Sequence, residues 1–253
     1  MIVLCRKGVL MKERVAIVTG AANGIGRAVA EQLATSGCQV VLLDKNFDSL
    51  RSLDGSMCYE VDVTNADQVN QAFQSINKEF GQVDILVNSV GGSLHSKLIE
   101  TIEDSDWNST FELNLRSVFN CTRAVIPGMK KRGWGRVVNI SAVAGRTYTF
   151  FGGADFTAAK AALIGFTRQC AFELAPYGIT VNAVAPGLTL TERVEVMWSE
   201  FSEEKRASIL ERIPIGRPST VQEQVATICF LCSEQASYIC GAILDVNGAM
   251  FVG

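Results

Sequence analysis

Several residue types that announce particular chemistries are scarce in this chain. Its 253 residues include one histidine, His95, so a histidine-rich metal site is excluded. There is no basic cluster, and the formal net charge is −3. That balance argues against nucleic acid as the main partner, because phosphate-backbone binding rests on clustered Lys and Arg. No apolar run approaches the roughly 20 residues needed to span a bilayer. The opening Met1-Ile2-Val3-Leu4-Cys5-Arg6-Lys7 is too short for a signal-peptide apolar region and carries its charges on the wrong side. Residues 1–11 read as an extension, with Met11, just before the first strand, a candidate natural start.

Eight cysteines lie at 5, 38, 58, 121, 170, 229, 232 and 240, mostly within apolar runs. Without a secretory segment they read as reduced core thiols of a cytoplasmic protein. Cys229 and Cys232 form a C-x-x-C inside a helix-like apolar stretch, with no second pair at zinc spacing. They are expected to be core-facing thiols.

What is abundant is apolar residue, 48%, with mean hydropathy +0.20. A chain of this length and composition suits one large α/β domain. Strand-like runs fall at 15–19, 39–44, 57–61, 84–88, 136–140, 179–184 and 242–246. Helix-like stretches at 24–36, 65–80, 107–132 and 154–175 separate most of them. The alternation, with continuous Val/Ile/Leu strands, predicts a single-domain, doubly wound parallel sheet of about seven strands flanked by helices, the Rossmann type. Residues 189–219 break the rhythm. They predict one or two amphipathic helices that could cover the carboxyl ends of the strands.

The first apolar run ends in Thr19-Gly20-Ala21-Ala22-Asn23-Gly24-Ile25-Gly26 and opens a helix-like segment. Gly20, Gly24 and Gly26 permit a sharp bend and close approach of a pyrophosphate, with helix-start N–H groups facing it. Asp44 ends the second strand, eighteen residues after Gly26. Its carboxylate can accept both adenosine ribose hydroxyls and would repel a 2′-phosphate, which favours NAD over NADP. Lys45 and Arg27 are the residues that speak for the phosphate. Asp62 and Val63 are expected beside the adenine. Asn88, Ser89 and Gly91 keep small groups where the cofactor would lie.

Together these motifs resemble the short-chain dehydrogenase/reductase family, from about Val15 to Gly248. The Thr19–Gly26 turn is similar to the family's cofactor fingerprint. Asn88-Ser89-Val90-Gly91 is similar to its Asn-Asn-Ala-Gly motif with two substitutions. Asn114, in Glu112-Leu113-Asn114-Leu115, falls where the family has its catalytic asparagine. Pro186-Gly187-Leu188-Thr189-Leu190-Thr191 resembles the stretch that holds the nicotinamide carboxamide, through the Leu188 backbone and Thr191. The resemblance implies hydride transfer between a nicotinamide cofactor and a small-molecule alcohol or ketone, in a homotetramer or homodimer. The helices near 107–132 and 154–175 would form its interfaces, with Cys121, Phe166 and Phe172 near partner contacts.

The family's chemistry uses a serine, a tyrosine and a lysine. The lysine ammonium makes the phenol more acidic, the phenolate takes the alcohol proton, and the serine holds the substrate oxygen. Here Phe156-Thr157-Ala158-Ala159-Lys160 keeps the i, i+4 spacing, but the ring carries no oxygen. Aligned on Val138-Asn139-Ile140-Ser141-Ala142, the serine position falls at Ala142. The interval to Phe156 is one residue longer than usual, so Ser141 serves only if the loop shifts. Tyr148 and His95 are candidate replacements for the missing acid–base group. Ser93, His95, Arg146, Tyr148 and Gly153 are expected around the substrate, with Arg146 and Arg193 as candidate partners for a substrate carboxylate. The resemblance therefore implies an NAD-dependent oxidoreductase impaired at proton transfer, with polyol, sugar, cyclic diol and hydroxy acid all open as substrates. The alternative is a non-catalytic NAD-binding sensor or assembly subunit.

Overall fold

A computed structural model describes Met11, residues 14–50, Leu53 and residues 55–253. The proposed extension 1–11 lies outside the described residues except for Met11. Seven strands form one parallel sheet: β1 (Val15–Thr19), β2 (Gln39–Asp44), β3 (Met57–Glu60), β4 (Ile85–Asn88), β5 (Gly135–Ile140), β6 (Ile179–Pro186) and β7 (Ile243–Val246). Their order across the sheet is β3-β2-β1-β4-β5-β6-β7. All pairs are parallel, as the continuous apolar runs predict.

Successive side chains point to opposite faces, and both faces are buried. Ala16, Val18, Val40 and Leu42 join one core with helix α1 (Gly24–Thr35), through Val29 and Leu33. Ile17, Val41 and Leu43 join the other with α2 (Ala66–Phe80), through Val69, Phe73 and Ile76. Gly81 then ends α2 in the left-handed conformation, with φ 70°.

The stretch read as one helix at 107–132 is three pieces. Helix α3 (Asp104–Phe111) passes through a wide π-type turn, Glu112–Arg116, into α4 (Ser117–Arg132). The wide turn carries Asn114, which is fully buried with its amide bonded to the loop after β4. Helical periodicity does not register one extra residue in a turn, so sequence could not show the break. Helix α5 (Ala154–Leu174) follows β5 and packs on the second core. The 189–219 segment forms two helices, α6 (Glu192–Ser199) and α7 (Glu203–Leu210), over a small cluster of Leu188, Ile209 and Ile213. Helix α8 (Val221–Cys232) closes the first core and starts with a capping box between Thr220 and Glu223.

One expectation about cysteines needs correction. Cys240 is exposed, not a core thiol. Cys121 is fully buried between α4 and the sheet. Cys229 and Cys232 are core thiols whose pKa burial raises, as the apolar run predicts.

The buried Asp84 fixes where β1 and β4 start. Its Oδ2 accepts the Val15 N–H at 2.9 Å, its own N–H donates to Val15 O, and its O accepts from Arg136. Arg14 and Arg132 lie 3.6 and 3.7 Å from its Oδ1. Asp84→Ala removes the acceptor of a buried amide and a carboxylate shared by two arginines, which keep Glu234 and the Val83 carbonyl. It should cost about 3 kcal/mol, measured by urea denaturation. A loss under about 0.5 kcal/mol would contradict this role.

Candidate active site

The carboxyl ends of β1, β4 and β5 bring the candidate residues to one edge. Gly20 and Gly24 take positive φ, +64° and +57°. A Cβ on Gly26 would lie 2.3 Å from Gly20 O, so the strand can turn directly into α1 only because glycine stands there. A Cβ on Gly20 would press on the backbone of Ser89 and Val90 at 3.2–3.3 Å. Thr19 locks the two loops together, its Oγ1 accepting from Ser89 N at 3.1 Å. Asn23 is the N-cap residue of α1 yet makes no side-chain cap bond, which leaves the start of α1, with Ile25 in its first turn, open to an acceptor from outside the helix. Asp44 is held by two backbone donors, Ala22 N to Oδ2 at 3.1 Å and Asn46 N to Oδ1 at 3.0 Å. This set of donors, glycines and a fixed carboxylate fits a dinucleotide.

Lys160, on α5, is the central charge. It is only 3% exposed, and its Nζ donates to Ile140 O at the end of β5, 2.9 Å away. Desolvation lowers its pKa to about 8. A Cβ on Gly91 would lie 2.8 Å from both Lys160 Nζ and Asn114 Oδ1. Glycine at 91 is what lets the loop after β4, the π-type turn and α5 meet at one point. Asn114 pins that loop from both sides, accepting from Gly92 N at 2.9 Å and donating to Gly92 O at 3.0 Å. The Phe156 ring, one turn before Lys160, has its centroid 5.9 Å from Nζ.

The two candidates for the serine position separate. Ser141 is buried, and its hydroxyl donates to Lys160 O at 3.1 Å, fixing α5 to the β5 end. Ala142 is half-buried in extended backbone and begins the turn Val143–Gly145. The side chain leaving the core is thus the methyl of Ala142, and the available hydroxyl faces inward.

Other candidates are built into the scaffold. Asn88 Nδ2 donates to Asn139 Oδ1 and Thr122 Oγ1 inside the core. Asp62 Oδ1 accepts from Thr64 N and Oγ1, and Val63 is buried. Gly187 donates to Val246 O, beside Pro186 at the end of β6. Leu188 is buried, and its O accepts from Ser219 N. Thr191 caps α6 by accepting from Val194 N. Gly153 is buried as the N-cap residue of α5, where a Cβ would lie 2.4 Å from Asp155 Oδ1.

The residues expected around a substrate make contacts of their own. Arg146 makes a two-point bond to Asp245, at 3.1 and 3.0 Å, and lies over the Phe251 ring. His95 faces the buried Asp155, Nε2 to Oδ2 3.2 Å, and its Nδ1 accepts from Lys97 N. Its Nε2 also lies 3.9 Å from Asp106 Oδ1. Tyr148 is 62% exposed and packs edge-on against Phe150, 5.2 Å between centroids. Ser93 donates to His95 O, and its Oγ, like Phe156 Cδ1, lies 2.9 Å from where a Cβ on Gly152 would be. Sequence reasoning missed Glu192, whose Oε2 accepts the Gly24 N–H at 3.1 Å. No local signal links positions 168 residues apart.

Comparison with known proteins places the chain in a family. The family model described as enoyl-(acyl carrier protein) reductase matches residues 20–250. The 3-oxoacyl-[acyl-carrier-protein] reductase FabG of Salmonella typhimurium is 40% identical over 245 residues, 94% of this chain and 98% of that protein. The protein of the same name from Aquifex aeolicus is 37% identical over 250 residues, 95% and 98% of the two chains. Among solved structures, gox2181 superposes with TM-score 0.91 at 30% identity, covering 96% of this chain and 97% of that one. Levodione reductase gives 0.88 at 28% identity, covering 94% and 97%. The chain belongs to the short-chain dehydrogenase/reductase family, a family of oxidoreductases that use a nicotinamide cofactor.

The depressed lysine sets a pH dependence. Free lysine titrates near 10.4, and burial brings Lys160 to about 8. Between those values the unfolded chain holds a proton that the folded chain has released, so folding gains stability as pH rises through that window. Lys160→Met should remove this gain. The parent should improve relative to the variant by up to roughly 3 kcal/mol between about pH 8 and 10.5, with a flat difference below. Urea titrations of both chains across pH measure it, and parallel curves throughout would contradict a desolvated ammonium.

Proposed function

We propose that this chain is an NAD-binding member of its family, built for hydride transfer between a ketone or secondary alcohol and nicotinamide, and disabled at the proton-transfer step. The observation that carries the reading is the pair at the start of α5. A buried ammonium is held at the end of β5 with an aromatic ring one turn away, and that ring bears no hydroxyl. Bound nicotinamide would supply or accept the hydride. Gly20, Asn23, Gly24, Ile25 and Gly26 would hold the pyrophosphate, and Asp44 the adenosine ribose. Lys160 would bind the nicotinamide ribose and stabilise negative charge beside it. Phe156 cannot move a proton, and Ala142 cannot hold the substrate oxygen.

Two observations support NAD over NADP. Backbone amides fix the Asp44 carboxylate at the end of β2, where it would repel a 2′-phosphate. Arg27, one of the cations that would favour that phosphate, is paired with Glu31 at 2.7 Å. The substrate side presents Tyr148, Phe150 and Phe151, with Phe151 stacked toward Phe201 of the segment after β6. That wall suits an apolar ketone better than a sugar or polyol. The reductase names of the relatives support the ketone-reducing direction. The family resemblance supports a homotetramer or homodimer through α4 and α5, and Phe172, 80% exposed on α5, is available for such contact.

The absence of a hydroxyl at both Ala142 and Phe156 favours one second reading, a non-catalytic NAD-binding sensor or assembly subunit. Restoration separates the two. Ala142→Ser with Phe156→Tyr, assayed with NADH and a panel of cyclic and aliphatic ketones, should raise turnover at least about a hundredfold. NADH affinity should stay within about threefold, since the phosphate and ribose contacts lie elsewhere. No gain on any ketone, with NADH still bound, would contradict the disabled enzyme and favour the second reading.

A further inference from the structure

Three consecutive residues at the start of α6 bridge the two glycine loops that border the cleft. Thr191 Cγ2 lies 3.4 Å from where a Cβ on Gly24 would be. Glu192 Oε2 accepts the Gly24 N–H at 3.1 Å. Arg193 reaches the opposite bank, with Nη2 and Nη1 at 2.7 and 3.0 Å from the position of a Cβ on Gly92. Gly24 is the first residue of α1, a helix with no side-chain cap bond and no acidic residue in its first turn. A helix N-terminus of this kind attracts an anion. The anion it holds here is a carboxylate from 168 residues away.

We propose that Glu192 is a clasp that competes with the cofactor's pyrophosphate for the Gly24 amide, so that dinucleotide binding releases the first turn of α6. The inference rests on reading the glycine turn as a nucleotide site. A carboxylate and a pyrophosphate are both anionic, and at contact distance they repel each other. One of them must leave the donor when the other binds. The segment before the clasp is anchored independently: Leu190 N donates to Ser219 O, and Thr189 Oγ1 pairs with Ser219 Oγ at 2.8 Å. Release is therefore confined to the chain after Leu190, the part that carries α6 and α7. Cofactor affinity and exposure of this cover are then coupled through one side chain, and a ligand shifts such a balance only by its differential affinity for the two arrangements.

The test compares NADH titrations of the full-length parent, Glu192→Ala and Glu195→Ala, followed by nicotinamide fluorescence. Glu195 lies in the same first turn of α6 and controls for loss of one negative charge and one helix-dipole partner. Because Glu192 is exposed, the competing bond is worth little, and E192A should tighten NADH binding about fivefold, with E195A within about twofold of the parent. Trypsin should cut after Arg193 and Lys205 faster when NADH is added to the parent, and equally fast with or without it in E192A. If the parent binds NADH but E192A gains nothing, or E195A gains as much, the clasp is wrong and the nucleotide reading stands. If no chain binds NADH, the nucleotide reading fails and the clasp with it.

Discussion

A lysine ammonium buried at the meeting point of β4, β5 and α5 constrains this whole edge of the sheet. Lys160 cannot reach water, so it is satisfied from the backbone, by the Ile140 carbonyl at the end of β5. That contact fixes the register of α5 against the sheet, and the Ser141 hydroxyl repeats the fixing at the Lys160 carbonyl. Gly91 must be glycine because Nζ and the Asn114 amide occupy the space its Cβ would take. A charge this deep costs folding free energy when unpaired. Here that charge is answered by one backbone carbonyl and lies 5.9 Å from the centroid of a ring with no oxygen.

The rest of the cleft is arranged around that charge by short, specific contacts. Thr19 ties the first glycine turn to the loop after β4. Asn114 ties the same loop to the wide turn between α3 and α4. Asp44 is oriented by the amides it accepts from, before any ribose is considered. Each is a side chain anchored to backbone groups. On the other side lie the stacked Phe151 and Phe201 rings and the two helices after β6, tied to the first glycine turn by the Glu192 bond to Gly24.

The fold was legible because both its signals are local. Continuous Val/Ile/Leu runs require a sheet buried on both faces, and alternating helical stretches require parallel crossovers. Gly20, Gly24 and Gly26 were legible for the same reason, as their spacing is the geometry of the turn. The wide turn at Glu112–Arg116 was not, since periodicity does not count one extra residue. Thr220 and Glu223 form a capping box that sequence could have shown, at the start of a helix read only as an apolar stretch. The pairing of Arg146 with Asp245 and the approach of His95 to Asp155 span 99 and 60 residues, and no local pattern announces them. Choosing between Ser141 and Ala142 needed side-chain direction, which an insertion of one residue hides from alignment.

If Lys160 still creates the environment of a working phenol, a tyrosine placed at position 156 will feel it. Ultraviolet difference titration of Phe156→Tyr against the parent, with NAD bound, reads that environment directly as tyrosinate absorbance. The new phenol should ionise well below its ordinary value of about 10, since a nearby ammonium favours the phenolate. A phenol that titrates at or above that value would show that Lys160 no longer acts on the ring position, and the account would be wrong at its base.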